Sequence, residues 1–471
     1  MINWEENSPL VSLTHLDGRN AHKLSSLRPY FSEFAWMKLR LRVMASYTKE
    51  IAARLSGTKL STSDTRRLQS LIDSFFLKDA RAVVTIEKRV NHDLKALELY
   101  CSDSLERRGL SRLIPYLNLG IGSEDINSIA LARLLKTSRG EVLIPALKKV
   151  SFSLSDLCQK EINTSMVART HAQPANVTTF GKEVANSLSR LCDELEIFFS
   201  HSFTAKCSGE VGSYQAYLGV DPSVDWIAFT DRFIRSFGLT PSHHATQIAP
   251  YDNITRYFQS LFRINTILID FCKNMWLYVL LGYLRVKKIE KEVGSAGMPH
   301  KVNPIYFEGA EGGLEMANGS IETFVRTLPI NRLNRDFSDS TIRRNIVLPL
   351  AYSLLSYQSI IDALCRIEVD TEAIATDLKN HKEVWLETVK SYGITHGISD
   401  MYDRLKKETR GRVLSAGDLE EIVRSLPLKL SDKRELLTLC NDSQNPYPAR
   451  IVEEAVGKAK RLLSSENSTI L

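Results

Sequence analysis

The sequence predicts an all-α protein of three helical domains, and three observations carry that prediction. Gly (23) and Pro (15) make up about 5% and 3% of the 471 residues, below the ~7% and ~5% usual in globular chains, so helix breakers are scarce. Apolar residues recur at helical steps of three and four over long stretches, while strand-like alternation is rare. Two stretches are apolar around most of their circumference, as helices inside a bundle are. At roughly 150 residues per domain, the length suggests about three domains. A composition of 43% hydrophobic and 25% charged residues excludes disorder, collagen and a disulfide scaffold. The net charge of +6, from 61 Lys and Arg against 55 Asp and Glu, permits an anionic small-molecule ligand without demanding nucleic acid.

In chain order, the first domain (1–112) begins MINWEENSPLVSLTHLDGR, with acidic residues and no apolar core of export-signal length. Helical spacing then runs from Glu33 to Arg54 and from Thr65 to Leu77. The central domain (113–366) holds an amphipathic helix over Gly181–His201, with Val184, Leu188, Leu191, Leu195, Phe198 and Phe199 on one stripe. Arg256–Leu284 and Ile342–Ile367 are the two greasy helices expected inside a long bundle. Met275–Leu284, ten apolar or small residues, is well short of the ~20 that a membrane span needs and reads as buried helix. Gly294, Gly297, Gly309, Gly312, Gly313 and Gly319 fall within 26 residues around GSAGMPHKVNP, which predicts a mobile or tightly turned loop. The third domain (367–471) turns charged, with KNHKEVW, RLKKETRGR and SDKREL as solvated helical faces. Seven cysteines, no two closer than 15 residues, leave no CxxC motif, and their odd number suits a reducing cytoplasm.

The segment Gly294-Ser295-Ala296-Gly297-Met298-Pro299-His300-Lys301-Val302-Asn303-Pro304 resembles the loop GSSxMPxKxNP of the fumarase and aspartase superfamily. Its His300-Lys301 form, the FEGAEG that follows and Leu328–Asn345 (LPINRLNRDFSDSTIRRN) are similar to the adenylosuccinate lyase family, particularly its bacterial branch. Further blocks agree in order and spacing: Asp17-Gly18-Arg19, Asn91-His92-Asp93, Ser123-Glu124-Asp125-Ile126-Asn127, RTHAQPA at Arg169–Ala175, and Thr246-Gln247-Ile248. The resemblance therefore spans residue 17 to about 415.

That resemblance implies a β-elimination in which a succinyl group leaves its amine as fumarate, from adenylosuccinate and the related succinyl-carboxamide ribotide of purine biosynthesis. It also implies a homotetramer whose core is the central bundle and whose sites are each assembled from three chains. No metal or organic cofactor, nucleic acid or membrane enters. The succinyl Cβ proton is weakly acidic, so a base must remove it while fixed donors and cations stabilise the aci-carboxylate, and a separate acid must protonate the departing nitrogen. By similarity Ser295 is that base and His171 the acid. Lys301 and Asn303 match positions that bind the succinyl carboxylates, and Ser123, Thr170 and Gln247 match other substrate-binding positions. Arg19, Arg335, Ser340, Thr341 and Arg344 match positions that hold the nucleotide and its phosphate, a task suited to arginine's planar fork. Asn91, His92 and Asp93 match positions near the nucleotide and the acid histidine.

Without the family, plainer readings stand beside these. Asn91 to Asp93 fits a helix cap, Ser295 a turn former, and the arginines between 332 and 344 a solvated basic face. Departures from the family pattern fall at substrate-facing places: Asn20 for Tyr, Asn118 for His, Gly122 for Thr, Ala296 for Ser, Gly309 for Asn, and GEVGSYQ at Gly209–Gln215 for GAVGNYN. The candidate acid, base, Lys301 and phosphate clamp survive, so the chemistry is expected intact and the leaving group is open. Three readings follow: a lyase of the adenylosuccinate type, a paralogue acting on another N- or S-succinyl adduct, and a non-catalytic member of the fold.

Overall fold

Ser32 opens the first long helix, its hydroxyl accepting from Ala35 N at 3.2 Å, and α1 (Glu33–Ser56) runs until Gly57 ends it with a left-handed φ of 67°. The computed structural model describes residues 8–57, 59–293, 297–441 and 445–464. Helices α2 (Leu77–Val90) and α3 (Asp93–Arg107) fold back against α1. The expected helix over Thr65–Leu77 is instead a shorter one, Thr62–Asp73, closed by a turn before α2 begins.

The centre is built from α4 (Ser123–Ser138), α5 (Ile144–Lys160), α6 (Phe180–Ser200), α7 (Asp252–Leu280), α8 (Ile305–Thr327) and α10 (Val347–Cys365), with the short α9 (Ser338–Arg343) leading into the last. Helix α8 lies between α7 and α10, while α6 packs on α5 and α7. The predicted stripe of α6 is inside, and it meets Phe258, Leu261, Ile264 and Leu268 of α7 in one continuous core. Asn265, fully buried, ties three helices together: its Nδ2 donates to Asn318 Oδ1 (3.1 Å) and Ser353 Oγ (3.0 Å), and its Oδ1 accepts from Tyr357 OH (2.7 Å). The stretch Ser338–Cys365 is long and apolar enough to cross a membrane, but α10 packs between α8 and α5. Such burial is what a core helix shows.

Three expectations change. The protein is mostly helical, yet β1 (Ser165–Thr170) and β2 (Gln173–Thr179) form an antiparallel hairpin. Its β-branched Val167, Val177, Thr178 and Thr179 favour strands, and His171 and Ala172 turn it with φ of 51° and 62°. The Met275–Leu284 stretch is not buried throughout. Helix α7 stops at Leu280, and Trp276, Leu277, Leu280 and Leu281 are exposed, Leu280 by 67%. Finally, Gly309, Gly312, Gly313 and Gly319 belong to α8 and not to a loop. At Gly313 the reason is close helix packing, because a Cβ there would lie 2.3 Å from Ser356 Oγ on α10.

Beyond α10 come α11 (Thr371–Asn380), α12 (Leu386–Thr395), α13 (Met401–Thr409), α14 (Ala416–Ser425) and α15 (Leu430–Asn441). Helices α12 to α15 enclose a second core of Val389, Met401, Leu414, Leu419, Val423 and Leu436. Helix α16 (Tyr447–Ser464) returns to α5 and α6, where Lys148 Nζ donates to Leu463 O at 3.1 Å.

Candidate active site

A cleft of about 450 Å³ opens between α1, the α2–α3 corner, the start of α4 and the α9–α10 junction. Two buried ion-pair systems support it, one behind Ser123 and outside the lining, the other part of the wall itself. In the first, Asp125, in the first turn of α4, accepts from Lys206 Nζ at 2.8 Å, and both side chains are fully enclosed. The remaining acceptor sites of Asp125 take Gly122 N (2.8 Å), Ser208 N (3.0 Å) and Gly209 N (2.9 Å). Lys206 spends its other protons on Gly209 O (2.8 Å) and Gln247 O (2.7 Å). Three chain segments are thereby pinned around Ser123.

The second system centres on Glu124. Its Oε1 faces Arg335 Nη2 at 3.1 Å and its Oε2 faces Arg343 Nη1 at 2.8 Å. Burial pushes the Glu124 carboxyl up, but Arg343 and then Arg335 outweigh it and hold the group below the usual carboxylate range. Arg335 also donates to Ser340 Oγ (3.1 Å), while its buried Nε has no partner among the described residues. Tyr251 OH donates to Asp339 Oδ2 (2.7 Å) beneath them, and burial raises its pKa. On the opposite wall Arg40, almost wholly buried, meets Asp93 at 2.8 Å. Burial again pushes the Asp93 carboxyl up, and Arg40 pulls it net downward.

Of the residues singled out in the sequence, His92, Asp93, Ser123, Arg335, Ser340 and Arg344 line this cleft. His92 serves both readings, because its Nδ1 also caps α3 by accepting from Lys95 N at 3.2 Å. Asn91 ends α2 in a left-handed conformation, φ 50°, outside the lining. Gln247 stands beside the Ser123 end, its backbone N–H donating to Asn334 O (3.3 Å) and its Nε2 to Glu210 Oε2 (3.0 Å). Thr341 is exposed on α9.

The rest are elsewhere. Thr170 and His171 sit exposed at the β1–β2 tip, on a hairpin that packs against α11 and residues 382–385. Just below the turn Arg169 grips Asp377 through Nη2 at 2.7 and 2.9 Å, which fixes that end of the hairpin while His171 stays exposed. Lys301 is exposed and Asn303 half-buried just before α8, and neither lines the cleft. Arg19 is exposed on the N-terminal segment, whose Leu16, Leu24 and Leu27 pack on Ala351 and Leu354 of α10. Ser295 and Ala296 lie outside the described residues. Among the described residues no cluster of three His, Cys, Asp or Glu could hold a metal ion.

Several residues of the wall and of the support behind it escaped the sequence reading: Glu124, Arg343 and Arg40 on the wall, Asp125 and Lys206 behind it. The SEDIN block contains Glu124 and Asp125, and two acidic residues in a first helical turn usually just complement the helix dipole. Glu124 pairs with Arg343, 219 residues away, and Asp125 with Lys206, 81 residues away, so only the tertiary fold reveals them. The solvated-face reading survives for Arg332, whose side chain is 83% exposed.

Known proteins resemble this chain in sequence and in fold. The family described as lyase matches residues 18–319, and the family described as adenylosuccinate lyase C-terminal matches residues 331–444. The adenylosuccinate lyase of Buchnera aphidicola subsp. Baizongia pistaciae is 35% identical over 448 residues, covering 95% of this chain and 97% of the relative. That of Escherichia coli strain K12 is 34% identical over 435 residues, covering 92% and 95%. Among solved structures, the 3-carboxy-cis,cis-muconate lactonizing enzyme of Pseudomonas putida superposes with a TM-score of 0.72 at 18% identity, over 93% of this chain and 97% of that one. The fumarate lyase of Mesorhizobium sp. BNC1 gives 0.72 at 17% identity, over 92% and 97%.

Proposed function

This chain belongs to the adenylosuccinate lyase family, and from that membership we infer that it is a lyase releasing fumarate from succinyl purine nucleotides, foremost adenylosuccinate. The observation that carries the reading is the cleft in which Arg335, Ser340 and Arg344 meet His92, Asp93 and Ser123. It is of a size for a small ligand, and Arg335 and Arg344 on its lining supply cations for an anion.

In this proposal the phosphate takes Arg335, Ser340 and Arg344, with Thr341 and Arg19 at the outer edge. Ser123, Gln247, Lys301 and Asn303 hold the succinyl carboxylates. Ser295 removes the Cβ proton, the C–H electron pair forms the C=C bond as the C–N bond breaks, and His171 gives its proton to the departing nitrogen, so that one proton is taken from carbon, one is given to nitrogen, and fumarate leaves with both carboxylates ionised. Thr170 orients the hairpin tip, and Asn91, His92 and Asp93 position the nucleotide side.

His171, Lys301 and Asn303 lie off the cleft of their own subunit, which supports a homotetramer in which other copies complete each site. The apolar face left open by Trp276, Leu277, Leu280 and Met316 on α7 and α8 supports the same assembly. We place the enzyme in the cytoplasm, working without a cofactor.

The test is fumarate release from adenylosuccinate by the purified protein. Turnover of about 1 per second or more supports the reading, and no release refutes it. Sharing of sites is tested by mixing two inactive variants, His171→Ala and Arg335→Ala, after dissociation. Regained activity, up to about a quarter of wild type, is the expected result, and none at all would exclude shared sites.

A further inference from the structure

The hairpin that carries His171 is poorly held at its outer end by its own backbone. Its register slips between Ala168 and Arg169, and beyond that bulge only two pairs remain, Arg169 with Pro174 and Thr170 with Gln173. Proline has no N–H to give to the ladder, and a two-stranded ribbon in water is marginal even when its ladder is complete. A ring of side chains from other elements takes over. Arg169 Nη2 donates to both carboxylate oxygens of Asp377 on α11, and its Nη1 donates to Tyr283 OH at 2.7 Å. Tyr283 OH in turn donates to Asp377 Oδ2, which closes a triangle of three groups. Burial, and then the bond to Asp377, raise the Tyr283 phenol to about 12, so it remains a donor at neutral pH. His381 Nε2 stands 3.5 Å from Asp377 Oδ1 on the other side.

Tyr283 and Asp377 reach Arg169 from one firm unit. Leu284–Val286 pairs antiparallel with Ile367–Val369, the segment that leads into α11, and Tyr283 O accepts from Asp370 N at 2.9 Å. The Tyr283 ring is buried, only 2% exposed. Arg169 is two residues before His171 and on the outer side of the bulge, so whatever holds its guanidinium holds the turn.

We propose that Asp377, with Tyr283 beside it, is a positioning residue for proton transfer: acting through Arg169, it sets where the His171 tip stands, and α11 thereby serves the reaction without touching substrate. Proton transfer is lost steeply when the acid is displaced, whereas the candidate phosphate and carboxylate contacts sit on other segments. The loss should therefore fall on kcat and not on KM. The inference rests on the assignment of His171 as the acid made above.

The test uses the full-length protein with adenylosuccinate. Asp377→Asn is expected to lower kcat about 10- to 100-fold with KM within about twofold. Tyr283→Phe, which leaves Arg169 bonded to Asp377, should cost about fivefold in kcat and serves where Asp377→Asn does not fold. Asp377→Glu keeps a carboxylate and should return kcat to within about threefold of wild type. Hydrogen–deuterium exchange should quicken over residues 165–179 in Asp377→Asn and stay unchanged in α5 and α7. An unchanged kcat in Asp377→Asn and Tyr283→Phe, a loss carried by KM, or a loss that Asp377→Glu shares in full overturns the inference. If the wild type releases no fumarate, the proposed reaction falls and exchange decides alone: quickened exchange leaves the anchoring role of Asp377 standing, and unchanged exchange overturns it.

Discussion

The cleft wall and the hairpin tip carry candidate residues of the same reaction, yet they are built in opposite ways. At the wall the buried charges are answered, Glu124 by Arg335 and Arg343 and Asp93 by Arg40, and behind it Asp125 is answered by Lys206 and three backbone N–H groups. At the tip His171 is exposed on a two-residue turn with positive φ, and the ordering contacts lie below it at Arg169 and Asp377. A residue that transfers a proton gains from being presented to a partner surface, whereas residues that bind a fixed polyanion gain from preorganisation. The difference predicts that function and stability separate cleanly between the two regions.

The largest effect tests the tip. His171→Ala is expected to lower kcat by about 10³-fold or more, since a positioned acid contributes ~10²–10⁴, with an unchanged circular dichroism spectrum and melting temperature. Ser295→Ala is expected to match it in kcat. Activity near wild type in either variant would remove the assigned acid or base. A melting temperature lowered by His171→Ala would show that the tip is structural after all, and the contrast with the wall would fail.

The support behind the wall is tested through Lys206. Replacement by Met removes the cation paired with a fully buried carboxylate and takes away the Nζ donor to the carbonyls of Gly209 and Gln247. Breaking a buried pair by deleting one partner costs about 3–5 kcal/mol, so Lys206→Met should lower the midpoint of urea unfolding markedly. Asp125→Asn and Lys206→Met combined should cost less than the two added, because neither leaves a lone buried charge. Full additivity would mean that the two residues do not act as a pair.

This contrast also explains what was readable in the sequence. Ser123, Arg335, Ser340 and Arg344 stood in recognisable blocks, and the structure brings them to one cleft. The helical stripe of α6 was equally plain, because period and burial coincide there. Lys206 gave no signal, as a lysine among KCSGE reads as surface until the fold buries it completely. The hairpin was missed because its strands show no apolar–polar alternation in burial and run straight into a helix start at Phe180. The glycines of α8 misled for a physical reason: glycine marks close helix contact as readily as it marks a turn, and Ser356 beside Gly313 shows which applies. The apolar end of α7 read as buried because composition cannot say whether a helix is covered by its own chain or by another.

The smallest expected effect is on the pH dependence of the wall. Asp93 and Glu124 have folded pKa values held below their ordinary ones, so the folded state binds fewer protons than the unfolded chain as pH falls through the carboxylate range. Their contribution is fully present above the unfolded pKa values of ~4 and is lost as pH drops through the folded ones. His201 works in the same direction at higher pH: burial, then Arg139, lowers its pKa to about 4, so the unfolded chain gains that proton first, between pH ~6.5 and 4. Unfolding midpoints should therefore fall modestly from pH 7 to 5 and more steeply below 4. Glu124→Gln should flatten only the lower part of that curve and His201→Gln only the upper. A curve of the same shape in Glu124→Gln would show that the Arg335 and Arg343 contacts do not stabilise the carboxylate, and the wall would then be no better organised than the tip.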